Sequence, residues 1–132
     1  MSRLPGPLLT LVALFVLSSA ARADDGRVRS FTIADFQAEV LQSELPVLVF
    51  FKATWAGPCK AMRPVIEAIA EEQVGKVVVG TVDIDDAPEL ARRYAVRSVP
   101  TFMVFRGGAP AGSHIGLTTK ERILRLMGVF GD

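Results

Sequence analysis

This sequence predicts an α/β domain built on one mixed sheet with helices packed against both faces, and three stretches carry the prediction. Val47-Leu48-Val49-Phe50-Phe51 is a continuous apolar run, the pattern of a strand buried on both sides, and it feeds a periodic helical segment starting at about Gly57 or Pro58. Lys76 to Asp83 reads as a further strand, followed by the turn Asp85-Asp86-Ala87-Pro88 and a short helix from Glu89 to Tyr94; another right-handed βαβ unit is implied. Gly107-Gly108 separates Thr101 to Phe105 from Ala111 to Ile115, which is the signature of a tight hairpin. The predicted order is βαβαβαββα.

Taken in order, Val28 to Phe31 is the first strand. Thr32-Ile33-Ala34-Asp35 follows with the spacing of a capping box, in which a hydroxyl and a carboxylate each satisfy a free N–H at a helix start. Ile33, Phe36, Val40 and Leu41 fall on one face of that helix, and Pro46 ends its connection to the central strand. Pro58 suits only the first turn of the next helix, where its missing N–H goes unnoticed. Met62, Val65, Ile66 and Ile69 form the apolar stripe of that helix, and Gly75 closes it. Pro64 lies inside, removes one backbone hydrogen bond, and is expected to kink the helix near Lys60 and Ala61. Pro110 marks the last strand as an edge, since it has no N–H to give a neighbour. Thr118-Thr119-Lys120-Glu121 repeats the capping-box spacing before a closing helix whose apolar face is Ile123, Leu126, Met127 and Phe130, with Gly128 near its end.

A chain of 132 residues, 50% hydrophobic, is long enough for one domain with a real core. Its first residues do not belong to that core. Arg3 gives a basic start, Leu8 to Leu17 form an apolar stretch, and Ser18 to Ala23 are small apart from Arg22, which is the layout of a secretory signal peptide. Ala21-Arg22-Ala23 places the cut after Ala23, with Ala20 as the second choice, leaving a domain from 24 to 132. An uncleaved membrane anchor is the alternative, but the apolar run falls short of the roughly 18 residues that span a bilayer. Export points to the bacterial periplasm, or to the secretory lumen or the outside of the cell if the chain is eukaryotic.

Removing Arg3 and Arg22 takes the net charge from +1 to −1, a balance that speaks against nucleic acid as a partner. Arg92, Arg93 and Arg97 cluster locally and read as a solvated face. The single cysteine, Cys59, excludes an internal disulfide or a dithiol couple. One Cys and the single His, His114, do not make a zinc site without carboxylates, and no ligand spacing points to one, so neither metal nor cofactor is expected. His114 reads as a strand or turn residue at the surface.

Trp55-Ala56-Gly57-Pro58-Cys59-Lys60 resembles the active-site loop of the thioredoxin family with its first cysteine replaced by alanine. Val96-Arg97-Ser98-Val99-Pro100-Thr101-Phe102 is similar to that family's cis-proline segment, at the usual distance downstream, and the resemblance runs from about Ser30 to Met127. It implies the thioredoxin fold, a cis Val99–Pro100 bond and, in an intact member, thiol-disulfide oxidoreductase activity. That chemistry needs one thiolate to attack a disulfide and a second to resolve the mixed disulfide. Ala56, at the helix mouth where N–H groups and the dipole would activate a thiol, carries only a methyl group. Cys59 stands in the resolving place, which the family shields. Phe50 and Thr81 occupy the positions of the family's buried aspartate and its lysine partner, so the proton acceptor is missing too. The resemblance also implies a groove that holds an extended peptide by its backbone, lined by Trp55, Gly57, Pro58, Val99, Pro100 and Gly116, although Lys52 replaces a second tryptophan.

Three readings follow. The first is an exported, redox-inactive binding module for extended or cysteine-bearing polypeptides, which touches a membrane only if its N-terminal segment stays on. The second is an oxidoreductase that forms mixed disulfides through Cys59 alone. The third is a cysteine-to-alanine form of an otherwise active reductase, against which Phe50 and Thr81 argue, because a change at one site would leave them alone.

Overall fold

The computed structural model describes residues 26–129. The segment expected to be a signal peptide, its expected cut site and Phe130 therefore lie outside the described residues. Five strands form one sheet in the order β1-β3-β2-β4-β5, with β1 at Arg29–Ser30, β2 at Val47–Lys52, β3 at Val78–Asp83, β4 at Thr101–Arg106 and β5 at Ala109–Ile115. Helix α1, Ile33–Phe36, passes into a π-helical turn, Gln37–Leu41; α2 is Gly57–Glu72, α3 is Pro88–Arg93 and α4 is Lys120–Leu126. β2 is central as expected. It pairs in parallel with β3, from Val47 opposite Val78 to Lys52 opposite Asp83, and antiparallel with β4, from Val47 opposite Phe105 to Phe51 opposite Thr101.

Alternation along β2 divides the core in two. Leu48 and Phe50 point to the side where Met62, Ile66 and Ile69 of α2 and Ile123 of α4 pack, together with Cys59. Val47, Val49 and Phe51 point to the other side, against Phe36, Val40 and Leu90. Every one of these side chains is buried, so the continuous apolar run of β2 has the physical cause inferred for it: both faces of the strand are covered.

Several local expectations are corrected. The Thr32 capping box forms, with Asp35 N–H donating to Thr32 Oγ1 at 3.3 Å and Thr32 N–H to Asp35 Oδ1 at 2.7 Å, but Ile33 is 41% exposed and only Phe36, Val40 and Leu41 face the core. The π-helical turn after Phe36 changes the angular spacing between Phe36 and Leu41, which a uniform 3.6-residue period does not anticipate. The first strand shrinks to Arg29–Ser30, though Phe31 N–H still reaches Thr81 O at 2.8 Å. Pro64 lies inside α2 as expected, and the helix ends at Glu72, three residues before Gly75.

The segment from β3 through α3 to β4 is not a parallel crossover, since β3 runs with β2 and β4 against it. A helix of six residues advances only about 9 Å, less than half the roughly 20 Å of a six-residue strand, so it does not return the chain to the end where β3 began. The parallel crossovers are β1–α1–β2 and β2–α2–β3, since β1 and β2 both run parallel to β3. At the end of the chain, the helix cap is Thr119 rather than Thr118: Thr119 Oγ1 accepts from Arg122 N–H at 3.2 Å and no reciprocal capping box forms. Thr118 instead donates its N–H to Met62 Sδ, and its hydroxyl oxygen is buried without a hydrogen-bond partner among the described residues.

The β4–β5 hairpin turns at Gly107 and Gly108, with φ of 58° and 84°, the left-handed pair that a two-residue hairpin with matching twist requires. A Cβ on Gly108 would lie 2.7 Å from Leu41 O, so glycine there serves both the turn and the close approach of the π-helical segment. β5 is an edge strand as expected, starts at Ala109 rather than Ala111, and carries Pro110 opposite Phe105 next to a register shift at Val104/Phe105.

Candidate functional site

The site is built where β2 runs into α2. Ala53 follows the end of β2, Ala56 N–H donates to Ala53 O at 3.2 Å, and Ala56 then adopts extended φ and ψ of −95° and 111° as the residue that opens the helix. Pro58 sits in the first turn, as its missing N–H dictates. Ala56 offers no side-chain cap, and Cys59 N–H donates to Ala56 O at 3.1 Å. One turn inside, Cys59 is a free thiol, 4% exposed, in the apolar cluster that holds Phe50, Met62 and Phe102.

Neither Phe50 nor Thr81 offers a carboxylate to accept a proton from Cys59. Phe50 stands opposite Thr81 in the parallel β2–β3 ladder, and its ring stacks on Phe102 with centroids 5.0 Å apart and planes at 14°. Both residues are buried, and strand alternation puts both on the face that Cys59 packs against. A phenylalanine stack here fills the core where an acid would have to be solvated or paired.

Beside the loop, Trp55 is 69% exposed yet fixed, because its Nε1–H donates to Asp85 Oδ2 at 2.9 Å. Asp85 is itself held by its N–H donating to Asp83 Oδ1 at 2.9 Å, and Asp83 Oδ2 lies 3.7 Å from Lys52 Nζ. Lys52, which replaces an aromatic residue of the family pattern, thus joins a polar chain that runs to Trp55. Asp83 reads from the sequence as the end of a strand and Asp85 as a turn residue, so neither stands out there as part of the site; the hint is an acid pair where the strand beside β2 ends.

On the other flank the Val99–Pro100 peptide is cis, as the resemblance implies. Pro100 is buried, and Val99 packs against the cluster that contains Ala56 and Cys59. Gly116 N–H donates to Pro100 O at 2.9 Å, so the glycine expected near the last helix is tied to the proline. Ile115 and Leu117, on either side of it, are 67% and 61% exposed. The fold therefore joins Ala56, Cys59 and Val99 through one cluster and Pro100 to Gly116 by a hydrogen bond, while Trp55 is anchored toward Asp85 and Gly57 and Pro58 stand exposed on the first turn.

His114 lies on β5, half-buried, with Nε2 3.2 Å from Leu117 O. Among the described residues no three His, Cys, Asp or Glu side chains gather as a metal site. Also among the described residues, no helix is long and apolar enough to cross a membrane.

The family model described as Thioredoxin matches residues 27–128. The chain is 48% identical over 94 residues to a bifunctional thioredoxin reductase/thioredoxin of Mycobacterium leprae, covering 71% of this chain and 20% of that protein. It is 45% identical over 93 residues to a thioredoxin of Rickettsia felis, covering 70% of this chain and 89% of that one. With thioredoxin 1 of Nostoc sp. it shares 39% over 107 residues, 81% of this chain and 92% of the relative.

Proposed function

The chain belongs to the thioredoxin family, and on that premise we propose that it is an exported member that has lost dithiol chemistry and binds extended or cysteine-bearing polypeptides. Ala56 carries this reading: the residue at the mouth of α2, where an attacking thiol would stand, has no group that forms a bond to sulfur. Cys59, 4% exposed, lacks both a partner thiol in the chain and free access to a substrate, which also weighs against an activity through that thiol alone.

In the proposed mode an extended segment lies across the loop and the Val99–Pro100 turn, held by backbone hydrogen bonds and by contact with Trp55, Gly57, Pro58 and Gly116. Trp55 is pre-positioned by Asp85, so little of its freedom is lost on binding. The leader reading belongs to the same proposal: residues 1–23 direct export, to the periplasm in a bacterium, and are removed after Ala23 or Ala20. N-terminal sequencing of the exported protein checks it, with Asp24 or Ala21 expected first.

Trp55 is the single tryptophan, so its emission reports on the groove. Titration with an unstructured polypeptide, its cysteines free in one arm and alkylated in the other, is expected to shift that emission saturably. Saturation in both arms supports recognition of extended backbone, and saturation in the free-thiol arm alone supports recognition of cysteine. A flat response in both contradicts the proposal.

A further inference from the structure

A concavity lies between α4 and the helix-facing side of β5, lined by none of the residues of the Trp55–Cys59 loop or the Val99–Pro100 turn. Its volume is about 320 Å³, and its walls are Ser113, His114, Thr118, Ile123 and Leu126 with Arg122 and Arg125. That lies at the small end of the roughly 300–1,000 Å³ of ligand pockets, which combine an apolar lining with a few polar groups that fix orientation. Gly112 bears on its apolar floor: a Cβ there would come within 2.9 Å of Leu126 Cδ1, so the absence of a side chain lets Leu126 lie against the strand.

The charge in this wall is one-signed. Arg122 and Arg125 are three residues apart on α4 and so share a side of the helix, both exposed. Among the described residues neither guanidinium has a carboxylate partner, whereas Arg63 and Lys120 each do, with Glu67 and Glu72. A guanidinium presents a planar fork of donors that matches a carboxylate in two parallel hydrogen bonds. Two such forks over an apolar floor of Ile123 and Leu126 define the complement of a molecule with one carboxylate on a compact apolar body.

We propose that this concavity binds a small amphipathic carboxylate, its charged end on Arg122 and Arg125 and its branched or aromatic body against Ile123 and Leu126. The same chemistry is offered by a free acid and by the C-terminus of a polypeptide that ends in an apolar residue, and the test separates them. ¹⁵N-labelled protein is titrated with 4-methylpentanoate, N-acetyl-leucine, N-acetyl-leucinamide and inorganic phosphate, following amide shifts. Saturable shifts confined to 112–114 and 118–126 are expected with the two carboxylates, and much weaker ones with the amide and with phosphate. Tighter binding of 4-methylpentanoate assigns the site to free acids, and tighter binding of N-acetyl-leucine assigns it to chain ends.

Arg122→Ala combined with Arg125→Ala is expected to weaken binding about tenfold or more, the scale of losing a charge-assisted hydrogen bond. Both side chains are exposed, so the fold should persist, and an unchanged amide spectrum elsewhere confirms that it does. Shifts that do not saturate, an equal response to the amide or to phosphate, or undiminished binding by the double variant would each overturn the proposal. None of these readouts involves Ala56, Cys59 or Trp55, so they stand or fall separately from the groove.

Discussion

Replacing Ala56 by cysteine puts a thiol at the opening of α2, where unpaired N–H groups and the helix dipole favour thiolate. Attack on a disulfide should return: the new thiolate bonds to one substrate sulfur and releases the other. Resolution should lag, because Cys59 packs in an apolar cluster with Phe50 and Phe102, and Phe50 offers it no group to take its proton. Mass spectrometry of Ala56→Cys after reaction with a disulfide substrate is therefore expected to show accumulating mixed disulfide; rapid turnover without a trapped adduct would contradict the role given to Phe50. Adding Phe50→Asp should speed the second step at a cost in stability. Emptying a buried phenylalanine costs about 3–5 kcal/mol, and an aspartate opposite Thr81 gains no charge partner. Denaturant unfolding of the double variant measures that cost.

At the scale of elements, the start of α4 separates two adjacent threonines with opposite roles. Thr119 caps the helix, so Thr119→Ala should cost about 1 kcal/mol in urea unfolding. Thr118 buries a hydroxyl oxygen that has no hydrogen-bond partner among the described residues, so Thr118→Val should be neutral or stabilising. Helices α2 and α4 are also tied by Lys120, whose ammonium donates to both carboxylate oxygens of Glu72 at 2.8 Å. That hydrogen bond chiefly raises the Lys120 pKa above its ordinary value; desolvation opposes it, and the charges of Glu72 and Glu121 add to it. A raised folded-state pKa means the contribution is complete below the unfolded-state pKa and fades as pH climbs through the folded one. Lys120→Met should thus unfold at lower urea than the parent at neutral pH, with the gap closing above about pH 10.4. A gap that does not change with pH would remove the ion pair from the account. The single-residue cap and the interhelix pair were legible to different degrees. Spacing located the cap to within one residue, whereas nothing in the local pattern links Lys120 with Glu72.

For the molecule as a whole, periodicity and the chemistry of a few residues were enough for most of the elements, and the family resemblance supplied the fold. The apolar run of β2, Pro58 at a helix start and two left-handed glycines in the hairpin each act locally, so each could be read in isolation. What escaped depends on groups distant in the chain: the direction of β4 after the short α3, the exposure of Ile33 beside a π-helical turn, and the pinning of Trp55 by Asp85. Of the candidate site, the loop and the proline turn were visible as motifs, and the polar chain from Lys52 through Asp83 to Asp85 was not. The central claim is that this fold retains the surface of its family without the dithiol cycle. Repeated reduction of a protein disulfide by residues 24–132, with excess reductant and with Cys59→Ser as control, tests it most directly. The account predicts a rate equal to that of the reductant alone for both proteins; multiple turnovers by the parent that vanish in Cys59→Ser would contradict it.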